Sequence, residues 1–343
     1  MTTETNYMPH AQRVTQNELL EILPILFRAK RPAMVLGHPG TGKSWIIKQC
    51  AKIVGFDYHD ILRPSTTNPV EACGIPGIVD GKTVFFPPKF LPDDINNGVV
   101  FHVDEFNSGA KANQAMNYQL TYDRVLGAWT MPESGTVVLT GNLPGSSSAI
   151  ADKIASALAN RCSVFVLESD AASFHTWAIQ NNIDPVLRAF LRTREDALID
   201  DPSNIVFGSG RSWADGVSPF MGIQDDNLRI KIIAGSVGIT WSAYLDAFRD
   251  LVMNAPSTDS ILADPMGVAV PSDLSICFAL AAALSAIAKP DNFDSILAYC
   301  SRLGSELMEF AVTCSIARDS DLIDTAAYTA RCLGDAQNRG VAS

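Results

Sequence analysis

The chain has 343 residues, 47% of them hydrophobic and 18% charged, with a net charge of −11 and a sequence pI near 4.9. That balance excludes a disordered chain and supplies enough apolar residues for about two domains. An acidic surface is repelled by phosphate backbones, which disfavours general nucleic-acid binding.

The first fourteen residues are polar, carry no apolar signal core, and are expected to be loose. Thr15 and Glu18 make a capping-box pattern ahead of Leu19, Leu20, Ile22 and Leu23, and Pro24 is expected to kink or restart that helix. Ala33 to Leu36 reads as a short buried strand. It runs into Gly37-His38-Pro39-Gly40-Thr41-Gly42-Lys43-Ser44, which fits the phosphate-loop pattern G-x-x-x-x-G-K-[ST]. Glycines let successive backbone N–H groups converge on one concavity, and the following helix, Ser44 to Val54, aims its positive end there. Lys43 is the candidate for the β- and γ-phosphates, and the Ser44 hydroxyl for Mg²⁺. Trp45 completes the candidate nucleotide-binding stretch and, with Ile46, Ile47, Cys50 and Ile53, supplies the apolar helical face.

Asp57 to Leu62 reads as a second strand. Gly77 to Phe86, with Asp80-Gly81 at its centre, carries a hairpin signal. Gly98 to Glu105 is an apolar strand ending in two acids, Asp104 and Glu105. A buried parallel strand has this look, and ligands bind at the carboxyl ends of such strands. Asp104 is the candidate Mg²⁺ ligand through its water shell, and Glu105 the candidate for polarising a water. Lys111 to Thr121 reads as a helix, and Arg124 to Met131 as a second hairpin with exposed-looking Trp129. Thr136 to Asn142 is another buried strand, with Asn142 placed to orient the attacking water or bind the γ-phosphate. Ile150 to Asn160 reads as a helix ending at Arg161, and Cys162 to Leu167 as the last strand. Strands alternating with helices predict a parallel sheet covered on both faces.

Beyond Ser169 the pattern is helical: Ala171–Ile179, Pro185–Leu198, a helix opened by Arg211, Lys231–Ile233, Trp241–Val252, Leu274–Ala288, Phe293–Cys300, Leu303–Cys314 and Leu322–Leu333. Asn254 to Pro271 reads as a long connection and Gly334 to Ser343 as frayed. The longest apolar run, Cys277 to Ala288, is too short to span a bilayer. The seven cysteines (50, 73, 162, 277, 300, 314, 332) are scattered and form no C-x-x-C pair. They indicate neither a zinc site nor a disulfide framework; reduced thiols and a cytoplasmic location are expected.

On these residues the chain resembles an AAA+ ATPase, and within that superfamily the MoxR type. The phosphate loop is similar to Walker A, and Val99 to Glu105 to Walker B. Asn142 stands where the family has its sensor-1 residue, Arg161 where it often has an arginine finger acting in trans, and Arg211 where it has the sensor-2 arginine of a helical lid. The two hairpins fall where this clade carries its helix-2 and pre-sensor-1 inserts. MoxR-type proteins usually follow the acids with Ile-Asn-Arg; here the residues are Phe106-Asn107-Ser108.

The resemblance implies an α/β P-loop AAA+ core with a parallel sheet flanked by helices, then a helical lid and extra C-terminal helices. The boundaries expected are a flexible 1–14, a nucleotide-binding domain at 15–168, a lid at 169–254 and an extension at 255–343. It also implies ATP and Mg²⁺ as cofactors, hydrolysis between subunits of a ring, commonly a hexamer, and a remodelled protein partner, often of the von Willebrand A-domain type. Two other readings stay open: a nucleotide-switched scaffold with weak turnover, and a nucleic-acid motor, against which the acidic charge argues.

Overall fold

The computed structural model describes residues 11–62, 72, 74–92, 97–108, 116–143, 156–202 and 204–332. The expected loose residues 1–10 and 334–343, the serine-rich 145–148, and the first parts of the helices expected at 111–121 and 150–160 lie outside them. The chain divides into two units, Met1–Asp170 with Asp201–Ile205, and Ala171–Asp200 with Val206–Ser343.

The first unit is built on strand alternation. Its sheet has six parallel strands in the order β1 (Gln12–Val14), β10 (Ser163–Leu167), β2 (Ala33–Gly37), β9 (Gly135–Gly141), β6 (Val99–Val103), β3 (Asp57–Leu62). Successive side chains of a strand point to opposite faces. Ala33 and Val35, with Val100, Val138 and Leu167, pack under helices α1 (Gln16–Arg28) and α2 (Lys43–Val54). Met34 and Leu36, with Phe101, Val103, Val137 and Leu139, pack on the other face against Met116, Leu120, Leu126, Trp129 and Leu158 of the elements that cross it. Both faces are covered, which is why the central strands read as mostly apolar runs. This is the α/β class that the sequence predicts, a parallel sheet flanked by helices with further helices after it.

Three local expectations are corrected. Gln12–Val14 forms an edge strand beside β10, with Val14 buried and Arg13 paired to Glu168 at 2.7 Å. The helix at Gln16 runs through Pro24 without a break. One backbone hydrogen bond is forfeited there, while Leu19, Leu23 and Phe27 are fully buried along the same face and hold the turn in place. The second hairpin, β7 (Val125–Leu126) and β8 (Trp129–Thr130), is not an exposed aromatic finger. Trp129 is 4% exposed, donates its Nε1–H to the Pro92 carbonyl at 2.9 Å and stacks edge-on against Phe101. Its indole is part of the sheet's core. The first hairpin differs: β4 (Ile75–Val79) and β5 (Lys82–Phe86) turn through Asp80 and Gly81, both in the left-handed region, and leave Ile78, Phe85 and Phe86 exposed.

The second unit is helical. Its helices after the short α3 (Ser156–Arg161) of the first unit are α4 (Ala171–Gln180), α5 (Pro185–Thr193), α6 (Gly210–Gly216), α7 (Asp226–Val237), α8 (Ile239–Met253), α9 (Thr258–Ala263), α10 (Leu274–Ala286), α11 (Phe293–Cys300) and α12 (Ser305–Arg318). α5 ends earlier than expected and hands over to a 3₁₀ turn, Glu195–Leu198. Its start is fixed by the Asp184 carboxylate, which accepts from the N–H groups of Val186 and Leu187. α9 lies within the stretch read as a connection; Ser257 caps it by accepting from Ser260 N–H. A 3₁₀ turn at Ser320–Asp324 occupies the start of the last expected helix. Trp213, fully buried with its Nε1–H on the Ala197 carbonyl at 2.7 Å, centres one core with Phe190, Phe248, Ala279 and Ala282. A second core gathers around Phe293, Ile296, Leu284 and Val312.

Candidate functional site

The phosphate loop is strand, turn and helix in that order. β2 ends at Gly37, and α2 begins at Lys43. Gly40 and Gly42 have φ of 78° and 82°, the left-handed region that glycine adopts without strain. The loop is tied from two sides. Thr41 Oγ1 donates to the His38 carbonyl at 2.9 Å, and Gln16 Nε2, from α1, donates to the Thr41 carbonyl at 2.8 Å. Lys43 Nζ donates to the Gly37 and His38 carbonyls at 2.9 and 2.7 Å and reaches Asn142 Oδ1 at 3.4 Å. Pro39 sits in the turn between β2 and α2. Trp45, read as part of the nucleotide-binding stretch, packs partly buried against the core between α1, α2 and the sheet.

The register of the sheet brings the other candidates to this loop. β2 and β6 both flank β9, with Val35 opposite Thr140 and Val103 opposite Leu139. The ends of the three strands therefore share one edge. Ser44 Oγ donates to Asp104 Oδ2 at 3.0 Å. Asp104 Oδ1 accepts from Thr140 Oγ1 at 2.6 Å and from Glu105 N–H at 3.0 Å. Partial burial alone would raise the Asp104 carboxyl, but the bonds from Thr140, Ser44 and the Glu105 N–H, with His102 nearby, outweigh it and hold the group below its ordinary value. The carboxylate is thus ionised at neutral pH. Ser44 hydroxyl and Asp104 carboxylate are hard oxygen donors suited to Mg²⁺, which takes few protein ligands and completes its shell with water and phosphate oxygens. Among the described residues no cluster of three or more His, Cys, Asp or Glu is placed to hold a metal ion.

β6 stops at Val103, one residue before the acids, and the chain turns. Glu105 has φ 52° and is exposed, so its side chain leaves in a different direction from that of Asp104. A non-glycine residue in that region carries local strain. Phe106 N–H donates to the Thr140 carbonyl at 3.0 Å, and Ser108 N–H closes the turn on the Glu105 carbonyl at 2.9 Å. Asn107, 1% exposed, donates Nδ2–H to the Asn142 carbonyl at 2.8 Å and accepts from Asn142 N–H at 3.2 Å. A Cβ on Gly141 would lie 2.3 Å from Asn107 Oδ1, so glycine is what lets this turn close on β9.

The structure therefore brings together Gly37, His38, Gly42, Lys43, Ser44, Asp104, Glu105 and Asn142. It does not bring Arg161 there by any contact among the described residues. Arg161 donates Nη1–H to the Ala157 carbonyl at 2.9 Å and lies over the Tyr118 and Tyr122 rings at 5.4 and 5.1 Å. Arg211 is an exposed residue in the first turn of α6, in the second unit, where Ser209 and Ser212 form a capping box. Sequence reasoning misses Gln16, Tyr58, His102, Asn107 and Thr140. The signal available is a polar residue inside a buried apolar run: His102 in Val99–Val103 and Thr140 in Gly135–Gly141 both have to be hydrogen-bonded.

No protein-family profile matches the chain, and no curated protein matches it. Solved structures of similar fold include the Thermotoga maritima RuvB Holliday junction branch migration motor, 15% identical over 78% of this chain and 80% of that one, with a TM-score of 0.35. NtrX from Brucella abortus in complex with ADP is 12% identical over 93% of this chain and 67% of that one, with a TM-score of 0.40.

Proposed function

We propose that the chain is an ATPase of the AAA+ class and MoxR type, which hydrolyses ATP with Mg²⁺ in a ring, commonly a hexamer, to remodel or activate a protein partner. The observation that carries the ATPase reading is the contact of Ser44 Oγ with Asp104 Oδ2 at 3.0 Å, with Lys43 Nζ beside Asn142 Oδ1 at 3.4 Å. Two sequence motifs and a strand-end amide meet at one strand edge, at the positive end of a twelve-residue helix.

Phosphoryl transfer needs positioning and charge stabilisation more than covalent help. The Gly37–Ser44 backbone cradles the phosphates. Lys43 exchanges its loop carbonyls for phosphate oxygens. Ser44 and Asp104 would hold Mg²⁺, which when bound would neutralise charge on the phosphate oxygens. Glu105 polarises the attacking water, and Asn142, clamped by Asn107, orients it. Arg161 is proposed as the finger supplied to the neighbouring subunit, and Arg211 as the lid arginine that couples nucleotide state to the second unit. The cation–π contacts of Arg161 with Tyr118 and Tyr122 support a side chain held in a fixed pose rather than one free to wander.

Turnover separates this reading from a nucleotide-switched scaffold. Glu105→Gln is expected to keep ATP binding and lose hydrolysis; turnover at the wild-type rate contradicts the role given to Glu105. Mixing Arg161→Ala with Lys43→Ala chains is expected to restore part of the activity that each lacks alone, and no recovery in proven mixed rings contradicts a trans finger. The partner, proposed as a von Willebrand A-domain type, is expected to grip the first hairpin, whose Ile78 is 83% exposed. Ile78→Ser with Phe85→Ser should leave basal turnover intact and remove partner stimulation. A motor on nucleic acid is disfavoured by the net charge of −11.

A further inference from the structure

Four hydrogen bonds run across the sheet beneath the phosphate loop, and their donors and acceptors can be ordered. Tyr58 OH is 2.6 Å from His102 Nδ1, His102 Nε2 is 2.6 Å from Thr140 Oγ1, Thr140 Oγ1 is 2.6 Å from Asp104 Oδ1, and Ser44 Oγ is 3.0 Å from Asp104 Oδ2. An ionised carboxylate only accepts, so Thr140 and Ser44 both donate to Asp104. A threonine hydroxyl has one hydrogen. With that hydrogen committed to Asp104, Thr140 Oγ1 accepts from His102, which must carry its hydrogen on Nε2. When the ring is neutral, Nδ1 is then its acceptor and Tyr58 O–H donates to it. His102 and Thr140 are both fully buried, so no bulk water competes for these bonds.

The two oxygens of Asp104 are not equivalent. Oδ1 accepts from Thr140 and from Glu105 N–H, and Oδ2 is left for Ser44. We infer that Tyr58, His102 and Thr140 form a directed chain of positioning residues that fixes the rotation of the Asp104 carboxylate, anchoring Oδ1 and presenting Oδ2 to the metal side of the site. The inference rests on the phosphate-loop reading above and adds to it three residues to which the motifs assign no role, each on a different strand: Tyr58 on β3, His102 on β6 and Thr140 on β9. Partners behind a metal's ligands commonly contribute ten- to a hundredfold in affinity. Chains of hydrogen bonds polarise one another in the same direction, so the farthest donor should be felt at the carboxylate, though less than the nearest. A purely architectural network would need only that each buried group find some partner, and it would not distinguish metal binding from nucleotide binding.

The test uses the full chain and measures ADP affinity in EDTA and at rising Mg²⁺, for wild type, Thr140→Val, Thr140→Ser and Tyr58→Phe. ADP affinity in EDTA should be the same in all four. The Mg²⁺ concentration at half-effect should rise about tenfold or more in Thr140→Val, about threefold in Tyr58→Phe, and return close to wild type in Thr140→Ser. An unchanged Mg²⁺ response in folded Thr140→Val overturns the inference; if that variant fails to fold, an unchanged response in Tyr58→Phe does so. Imidazole nitrogen NMR supplies an independent readout: the Nε2–H form of neutral His102 is expected, and the Nδ1–H form overturns the order of the chain. A wild-type chain that binds no ADP at all overturns the phosphate-loop reading instead, and the His102 tautomer still decides the direction of the hydrogen bonds.

Discussion

Asn107 is the side chain on which the geometry of Asn142 depends, and Asn107→Ala tests that dependence. Its amide makes both of the hydrogen bonds described above with the backbone of Asn142, from a position that is 1% exposed. If water refills the space, the loss is that of two ordinary hydrogen bonds at about 1 kcal/mol each. If the pocket stays dry, the Asn142 N–H and C=O are left without partners, at about 1–3 kcal/mol for each group. The expected destabilisation of the first unit is therefore about 2–6 kcal/mol, a fall in melting temperature of at least about 4 °C. Hydrogen exchange followed by mass spectrometry reads this directly, because protection of Gly135–Gly141 should fall most at its carboxyl end. Hydrolysis should drop at least tenfold, since Asn142 no longer holds its aim, while ADP affinity changes little. A variant that loses less than about 0.5 kcal/mol and turns over ATP normally would refute the clamp.

Trp129→Ala should cost about 3–5 kcal/mol and lower the melting temperature of the first unit, because the indole fills the core and pairs with Pro92; a variant that melts like wild type would contradict a core role for the indole. Glu105→Gly should abolish hydrolysis yet melt no lower than wild type, since φ 52° is a glycine-friendly conformation; a clear loss of stability contradicts stored strain at that turn. Burial pushes the thiols of Cys50 and Cys300 up to about 12 and that of Cys162 to about 11, from an ordinary value of 9.0. Above pH 9 the unfolded chain releases these protons and the folded chain keeps them. Stability should therefore decline between pH 9 and about 11 to 12, by about 1.4 kcal/mol per pH unit for each thiol. Denaturant titrations across that range check it, and Cys50→Ala should flatten the slope.

The sheet is legible in the sequence because its strands are buried on both faces, and a short, mostly apolar run such as Val99–Val103, broken only by His102, fits a central parallel strand. The phosphate loop is legible because its chemistry is local: Gly42, Lys43 and Ser44 are consecutive. Asp104 and Asn142 can be placed because strand ends that follow a phosphate loop share an edge. Trp129 is misleading because a two-residue strand carries no periodicity that tells inward from outward. The stretch that forms α9 is misleading because its six residues are too few to show a helical face. The ionic cluster of buried Arg229 with Asp226 and Asp246 is invisible for a different reason. Arg229 is 1% exposed, and its partner Asp246 lies on the following helix, a pairing that only tertiary packing creates. Tyr58, His102 and Thr140 escape a motif search because each belongs to a different strand, and only the register aligns them.

The central claim is that the loop from Gly37 to Ser44 and the acid Asp104 form one MgATP site. Calorimetric titration of the wild-type chain and of Lys43→Ala and Asp104→Ala with ATP, in the presence and absence of Mg²⁺, tests it most directly. The account predicts saturable binding by wild type, no binding by Lys43→Ala, and binding by Asp104→Ala that no longer responds to Mg²⁺. Equal ATP affinity in wild type and Lys43→Ala, or an Asp104→Ala variant with a full Mg²⁺ response, would contradict it.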